Sequence, residues 1–270
     1  MSHPILEQLT SPDPAARRAA CLAAASDPAA TLLTEALCEA LGDPAKAVSR
    51  AASDALVAIG RARGDVDPGL RAALHDSDPA RRFGAAFTLA RISPPGPRLL
   101  PALVEALASP DGDVRWAAAR LLVETGRVHG EVFALLAGLA LRSEDASVRR
   151  MAIFALRELA PERVETASVL LDALRKDADL ANRRAALTAM AALEDPSAEI
   201  AEQLLQTLAD PRDPASQRLA AIALGELGAR DARFLLEPAR AKLRDAASLG
   251  DDADLRRACE RALARLAEEK

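Results

Sequence analysis

Residues 145–156 read Asp-Ala-Ser-Val-Arg-Arg-Met-Ala-Ile-Phe-Ala-Leu, and variants of this stretch recur through the chain at steps of 32 to 39 residues. The eight variants align on one anchor position, which is occupied by Arg17, Ser49, Arg82, Arg115, Arg149, Arg183, Gln217 and Arg256. A repeat of this length indicates supersecondary units stacked in one direction, each too small to bury its apolar face alone. The anchor repeat therefore predicts an array of units rather than a single central core.

The residues that follow the anchor have a helical period. The third residue after the anchor is Ala in seven variants and Cys259 in the eighth. The seventh residue after it is Leu, Met or Ala in every variant. Residues at these spacings lie on one face of a helix, so we expect both positions to face the core. The Ala at the third position would then allow neighbouring units to approach closely.

A short polar turn precedes this helix. Seven variants place Asp four residues before the anchor, at Asp13, Asp78, Asp111, Asp145, Asp179, Asp213 and Asp252. Asp accepts the free backbone amides of a first helical turn, and Pro suits the first helical position, as in Asp78-Pro79. An apolar stripe before the turn, as in residues 99–107, predicts a first helix. We expect the anchor Arg to pair with its own Asp or with that of the next unit.

These features resemble the HEAT repeat, in the short form that is also found in phycobilisome lyase subunits. The stretches that carry the resemblance are residues 145–156 and 111–118. The sequence departs from the pattern at Ser49 and Gln217, where Arg follows one residue later. The resemblance extends over nearly the whole chain and specifies a fold, whereas proteins of one fold serve many unrelated functions.

The prediction for the fold is an all-α, right-handed α-solenoid of about eight stacked two-helix HEAT-like repeats. We expect one repeat domain over residues 1–270. Its repeats are expected at about 4–30, 31–63, 64–97, 98–129, 130–163, 164–196, 197–230 and 231–270.

Composition restricts the class of partner and the compartment. The net charge is −5, which argues against a general affinity for nucleic acid or for anionic membranes. The three Cys residues form no Cys-x-x-Cys pair, so we expect free thiols in a reducing compartment. The first ten residues lack the regions of a signal peptide, and no apolar run approaches the ~20 residues that span a membrane. We therefore expect a cytoplasmic protein that does not enter a membrane.

Catalytic and cofactor motifs are missing from the sequence. His3, His75 and His129 are scattered and have no companions at metal-ligand spacing. No Gly-x-Ser-x-Gly motif, phosphate-binding glycine loop or Cys–His pairing occurs. We expect no enzyme activity, no metal and no cofactor.

The side of the second helix opposite the core is the candidate binding surface, because second helices line the concave side of a HEAT array. This side comprises positions +1, +5 and +8 after the anchor. Position +1 is occupied by Arg18, Arg50, Phe83, Trp116, Arg150, Arg184, Arg218 and Arg257. Position +5 adds aromatic and basic residues in the central repeats. The predicted partner-binding residues are Phe83, Phe87, Trp116, Arg120, Arg150, Met151, Phe154 and Arg184.

Two interpretations of these aromatic residues stay open. They bind an acidic or amphipathic segment of a protein partner, since aromatic and Arg side chains dominate binding hot spots. Alternatively, they fill the grooves between stacked second helices. The function we expect is a non-enzymatic scaffold for protein–protein interaction. The alternatives are a bilin lyase-type subunit that handles a chromophore, or a nucleic-acid-binding HEAT protein, which the arginines favour and the net charge disfavours.

Overall fold

In a computed structural model, the protein is described at residues 3–63, 66–231, 236–249 and 252–267. The predicted repeats 64–97 and 231–270 each include residues that lie outside these ranges. Helices and turns make up the described ranges, and no strand occurs within them. The chain divides into two compact units, residues 1–129 and residues 130–270.

Unit 1 (residues 1–129) contains four helical hairpins. Its helices are α1 Pro4–Leu9, α2 Pro14–Ala24, α3 Thr34–Ala40, α4 Lys46–Arg63, α5 Asp67–Ala73, α6 Pro79–Ile92, α7 Leu100–Ala106 and α8 Gly112–Gly126. Each odd-numbered helix packs on the even-numbered helix that follows it. The second helices also pack in series, α2 on α4, α4 on α6 and α6 on α8.

Unit 2 (residues 130–270) repeats this arrangement. Its helices are α9 Glu131–Arg142, α10 Ala146–Leu159, α11 Val164–Lys176, α12 Leu180–Met190, α13 Ala198–Ala209, α14 Pro214–Asp231, α15 Leu236–Leu249 and α16 Ala253–Ala267. Here α10, α12, α14 and α16 pack in series, as do α9, α11, α13 and α15. Packing of each hairpin on the next is the arrangement of an α-solenoid, so the predicted fold class is confirmed.

The Asp residue four before the anchor caps the second helix in the seven repeats that have it, as the sequence predicts. Asp111 Oδ1 accepts the amide of Asp113 at 3.0 Å, and Asp179 Oδ1 accepts the amides of Ala181 and Asn182 at 2.7 and 3.2 Å. All seven of these Asp side chains accept a backbone amide of their own helix. Because the first amides of a helix have no partner within the helix, each cap fixes the residue at which the second helix begins.

The core of the stack lies where the helical period places it. The residue three after the anchor is fully buried in all eight repeats. The residue seven after the anchor is buried in the first seven repeats, but Leu263 in the eighth is only half-buried. The prediction for Leu263 is therefore wrong. In the last two turns of α16 the buried residues are Ala262 and Leu266, and no described helix packs on the far side of α16.

Candidate interaction surface

The anchor Arg fixes the turn between the two helices of its own repeat. In Arg17, Nη1 donates to the carbonyl oxygens of Ser11 and Pro12 at 2.8 and 3.1 Å. The same pair of bonds, to the carbonyls six and five residues earlier, is made by Arg82, Arg115, Arg149 and Arg183. One guanidinium thus binds two backbone carbonyls of the turn that follows the first helix.

In the part of the chain that the structure describes, three anchor arginines are seen to form an ion pair with the next repeat. Arg17 Nε lies 2.6 Å from Asp43 Oδ2, Arg149 Nε lies 2.7 Å from Asp177 Oδ2, and Arg82 binds Glu105. The prediction that the anchor Arg pairs with the capping Asp of its own or the next repeat is therefore wrong for these three arginines. Asp43 and Asp177 stand at the start of the turn of the next repeat, two residues before the capping position, and their carboxylates lie within reach of the guanidinium.

The candidate surface itself is formed by positions +1 and +5 of the second helices, and we call it the +1/+5 face. None of the residues at these positions is buried in either unit, so their predicted orientation away from the core is confirmed. Position +8 is mixed, because Val57, Val123 and Gly225 are buried, whereas the +8 residues of the other repeats are not. The prediction that +8 shares the open side is therefore wrong at these three residues.

The aromatic part of the +1/+5 face in unit 1 lies on α6 and α8. The ring centroids of Phe83 and Phe87 are 5.9 Å apart, and both side chains are half-buried. The Arg91 guanidinium lies 5.6 Å from the Phe87 centroid and is held by Asp54 of α4, with 2.8 Å between Nη2 and Oδ1. These contacts fix Phe87 in place from one side.

Trp116 is the most exposed aromatic side chain of this face, with 49% of its surface accessible. It occupies on α8 the position that Phe83 occupies on α6, and these two helices pack on each other. Arg120 stands four residues after Trp116, so both side chains lie on the same side of α8. The Arg120 side chain is exposed and makes no ion pair with any residue that the structure describes.

An ion-pair cluster borders the aromatic residues in unit 1. Lys46 Nζ lies 2.6 Å from Asp111 Oδ2 and 3.3 Å from Asp113 Oδ2, and Arg50 Nη2 lies 3.3 Å from the same Asp113 oxygen. These bonds join α4 to the start of α8, two hairpins further along the chain. The hydrogen bond from Lys46 lowers the pKa of Asp111 below its ordinary value.

In unit 2, the basic residues of the +1/+5 face bind the next repeat. Arg150 Nε donates to Asn182 Oδ1 at 3.0 Å, Arg184 Nη2 lies 2.6 Å from Asp213 Oδ1, and Arg218 Nη1 lies 3.0 Å from Asp254 Oδ2. Arg184 and Arg218 are therefore neutralised by carboxylates of this chain, whereas the bond from Arg150 to a neutral amide does not neutralise its charge.

The eight predicted residues divide equally between the two units. Unit 1 holds Phe83, Phe87, Trp116 and Arg120, and unit 2 holds Arg150, Met151, Phe154 and Arg184. Met151 is only 6% exposed, so its side chain takes part in packing rather than in a surface. Phe154 is half-buried, and the Arg157 guanidinium lies 6.0 Å from its ring centroid.

Two exposed apolar residues of the +1/+5 face were missed by the sequence reasoning. Leu22 on α2 and Ile222 on α14 both occupy position +5 and are 47% and 42% exposed. A single Leu or Ile gives no distinct signal in a sequence that is half hydrophobic. The anchor alignment nevertheless places Leu22 and Ile222 at position +5.

The described residues of this face form no metal-binding cluster. Within the described residues, no group of three or more His, Cys, Asp or Glu side chains is arranged to hold a metal ion. Cys21, Cys38 and Cys259 are free and buried, and burial raises the pKa of each thiol to about 11. None of the described helices combines the length and the apolar character required to cross a bilayer.

Comparisons with known proteins agree with the helical hairpins. A family model described as HEAT repeats matches residues 67–157, and no curated protein matches the chain. A solved structure of importin beta is similar over 98% of this chain and 40% of its own, with a TM-score of 0.63 and 18% identity. The E. coli protein YibA is similar over 97% and 91%, with a TM-score of 0.57 and 19% identity. Kap121p is similar over 97% and 33%, with a TM-score of 0.60 and 15% identity.

The chain spans less than half the length of importin beta and of Kap121p. At 15 to 19% identity, these likenesses show a shared fold and nothing further. Residues 67–157 therefore resemble HEAT repeats, and the chain has the all-α solenoid fold that these proteins share.

Proposed function

We propose that this protein is a non-enzymatic scaffold that binds a segment of a protein partner on the +1/+5 face. The observation that carries the proposal is the exposure of Trp116 beside the half-exposed Phe83 and Phe87 of the neighbouring helix. Large apolar side chains that are exposed together mark interaction sites more often than isolated ones do. In unit 2, Arg150, Phe154 and Arg184 occupy the same helical positions and extend the proposal to that unit.

The solved structures of similar fold support a protein partner. Kap121p has been solved bound to Pho4p and bound to Nup53p, and Kap95p bound to RanGDP. We extend to this chain only the class of partner, which is a protein. A folded stack of hairpins suits that role because its own side of the interface needs little ordering on binding.

The other functions considered from the sequence gain no support. Nucleic-acid binding requires cations that are free to neutralise phosphates, and Arg50, Arg184 and Arg218 are bound to carboxylates of this chain. No contact among the described residues favours chromophore handling. The free, buried cysteines support our proposal of a reducing, cytoplasmic compartment.

Replacement of Trp116 by Ala tests the proposed function. We expect the variant to lose partner affinity by at least about 30-fold, as removal of a hot-spot aromatic does. Proteins captured by the wild-type chain from its native lysate would be identified by mass spectrometry and then measured individually by titration. Circular dichroism and thermal melting should change little, because the Trp116 ring is half exposed.

The matched control is Leu32→Ala, since Leu32 is an exposed apolar residue away from the +1/+5 face. The control should keep both the partners and their affinities. Capture of the same proteins with equal affinity by the wild type and by Trp116→Ala would contradict the proposal. A large loss of melting temperature in Trp116→Ala would instead assign this ring to packing.

A further inference from the structure

The arginines of the +1/+5 face in unit 1 differ in what they bind. Arg50 is bound to Asp113, and Arg91, at the edge of the face, is bound to Asp54. Arg18 on α2 and Arg120 on α8 are exposed, and neither makes an ion pair with any described residue. Two of the four cations therefore keep an uncompensated charge, and these two lie on the first and the last of the second helices in unit 1.

Each uncompensated Arg has an exposed apolar residue at helical spacing. Arg18 is four residues from Leu22 on α2, and Arg120 is four residues from Trp116 on α8. Leu22 and Trp116 are 47% and 49% exposed. Residues four apart on a helix are neighbours on its surface, so each end of the face offers an apolar contact beside a free guanidinium.

The helices between these ends supply apolar surface with little net charge. On α6, Phe83 and Phe87 form a pair of half-exposed rings. On α4, the charge of Arg50 is engaged by Asp113 of α8 and that of Asp54 by Arg91 of α6. A ligand that crosses the face from α2 to α8 therefore meets positive charge, then rings, then positive charge.

We infer that unit 1 binds an acidic, amphipathic peptide segment, with apolar side chains against Phe83, Phe87 and Trp116 and carboxylates on Arg18 and Arg120. This inference rests on the proposed function and adds the chemistry of the partner. Carboxylates match the guanidinium fork, which favours paired hydrogen bonds. A basic or neutral segment would leave both guanidinium groups without compensation.

The size of unit 1 sets the length of the segment. Packed helices lie 8–10 Å apart, so the three steps from α2 to α8 span roughly 24–30 Å. A helical segment needs roughly 16–20 residues to cover that distance. An extended segment needs about half as many.

Selection from a displayed library of random peptides of about 20 residues tests this inference. The full-length chain would be the target, with counter-selection on its Trp116→Ala variant. We expect enrichment of peptides that carry Asp or Glu on either side of an apolar stretch. Enrichment of peptides without acidic residues would overturn the inference and leave the proposed function standing. Failure to enrich any peptide that distinguishes the two targets would overturn both.

Charge reversal in an enriched peptide locates the carboxylate contact. We expect Arg120→Glu to lower the affinity for the peptide by about fivefold, and a Glu→Arg change in the peptide to restore the affinity. Arg175→Glu in unit 2 is the matched control, because Arg175 pairs with Glu199 on the first helices, outside the +1/+5 face, and it should leave the affinity unchanged. Equal affinities for wild type and Arg120→Glu would overturn the assignment to this face.

Discussion

Asp177 joins two repeats of unit 2 through four hydrogen bonds on one carboxylate. It accepts Nε and Nη2 of Arg149, the side-chain amide of Asn182 and the backbone amide of Asp179, and its side chain is only 3% exposed. Burial acts to raise the pKa of Asp177, but these hydrogen bonds outweigh it and lower the pKa. The carboxylate is therefore charged and fully bonded inside the stack.

Replacement of Asp177 by Ala should destabilise unit 2 by about 3 kcal/mol, because it leaves the Arg149 guanidinium largely buried without its partner. The urea midpoint of unfolding, followed by circular dichroism, measures the loss. The control is Asp172→Ala, since Asp172 pairs with Lys176 at an exposed position of α11 and such pairs contribute little. Equal midpoints for the two variants would show that the buried network does not stabilise the stack.

At the scale of the helix, close approach between second helices depends on small residues. Gly225 of α14 lies against α16, and a Cβ at this position would lie 2.8 Å from Ala262 Cα and 2.9 Å from its Cβ. Gly138 of α9 has more room, since a Cβ there would meet only the end of the flexible Arg142 side chain.

Ala at these two positions should have opposite effects. Gly225→Ala should destabilise unit 2 by roughly 1–3 kcal/mol, because the backbone of α16 must move away and overpacking exceeds the helix propensity gained. Gly138→Ala should stabilise it by up to about 1 kcal/mol, because Ala favours the helix and Arg142 can turn aside. Urea unfolding of both variants checks the signs, and stabilisation of both would disprove the close contact.

The sequence predicted well those features that depend on neighbours in the chain. The caps at Asp111 and Asp179 and the buried Ala118 follow from spacings within one helix. It predicted poorly the partners that lie in another repeat. Whether Arg149 pairs with Asp179 or with Asp177 depends on how two hairpins stack. The helical period of the sequence does not distinguish two carboxylates that are only two residues apart in a turn.

The candidate site shows the same limit. A helical wheel placed Trp116 and Arg120 on an open side of α8, and their exposure agrees with that orientation. The wheel did not reveal that Arg184 and Arg218 are neutralised by carboxylates 29 and 36 residues further along the chain. The distinction between paired and unpaired arginines therefore required coordinates.

At the scale of the whole molecule, carboxylates bound to basic groups make stability depend on pH. The hydrogen bond from Arg184 lowers the pKa of Asp213 from 3.8 to about 2, and the bond from Arg17 lowers the pKa of Asp43. A carboxylate whose pKa is lower in the folded state than in the unfolded state stabilises the fold at pH values above the unfolded-state pKa. This contribution is lost as the pH falls through the folded pKa.

We therefore expect the melting temperature to be nearly constant from neutral pH down to about pH 5 and to fall between pH 4 and about pH 2. Thermal melts at constant ionic strength, followed by circular dichroism, measure this profile. The Asp213→Asn variant should start lower at neutral pH and lose less on acidification. A wild-type profile that stays flat to about pH 2 would contradict the role of these carboxylates.

The bonds from Lys46 to Asp111 and Asp113 have a consequence for how unit 1 unfolds. Repeat arrays are commonly treated as a chain of units whose energies couple only to adjacent units. In unit 1 the second and fourth hairpins are also coupled directly, by a contribution that is small and screened by salt because these side chains are exposed. The ion pairs of Lys46 hold the second and fourth hairpins together across the third. We therefore expect local unfolding of the third hairpin to be coupled to that of the second and fourth.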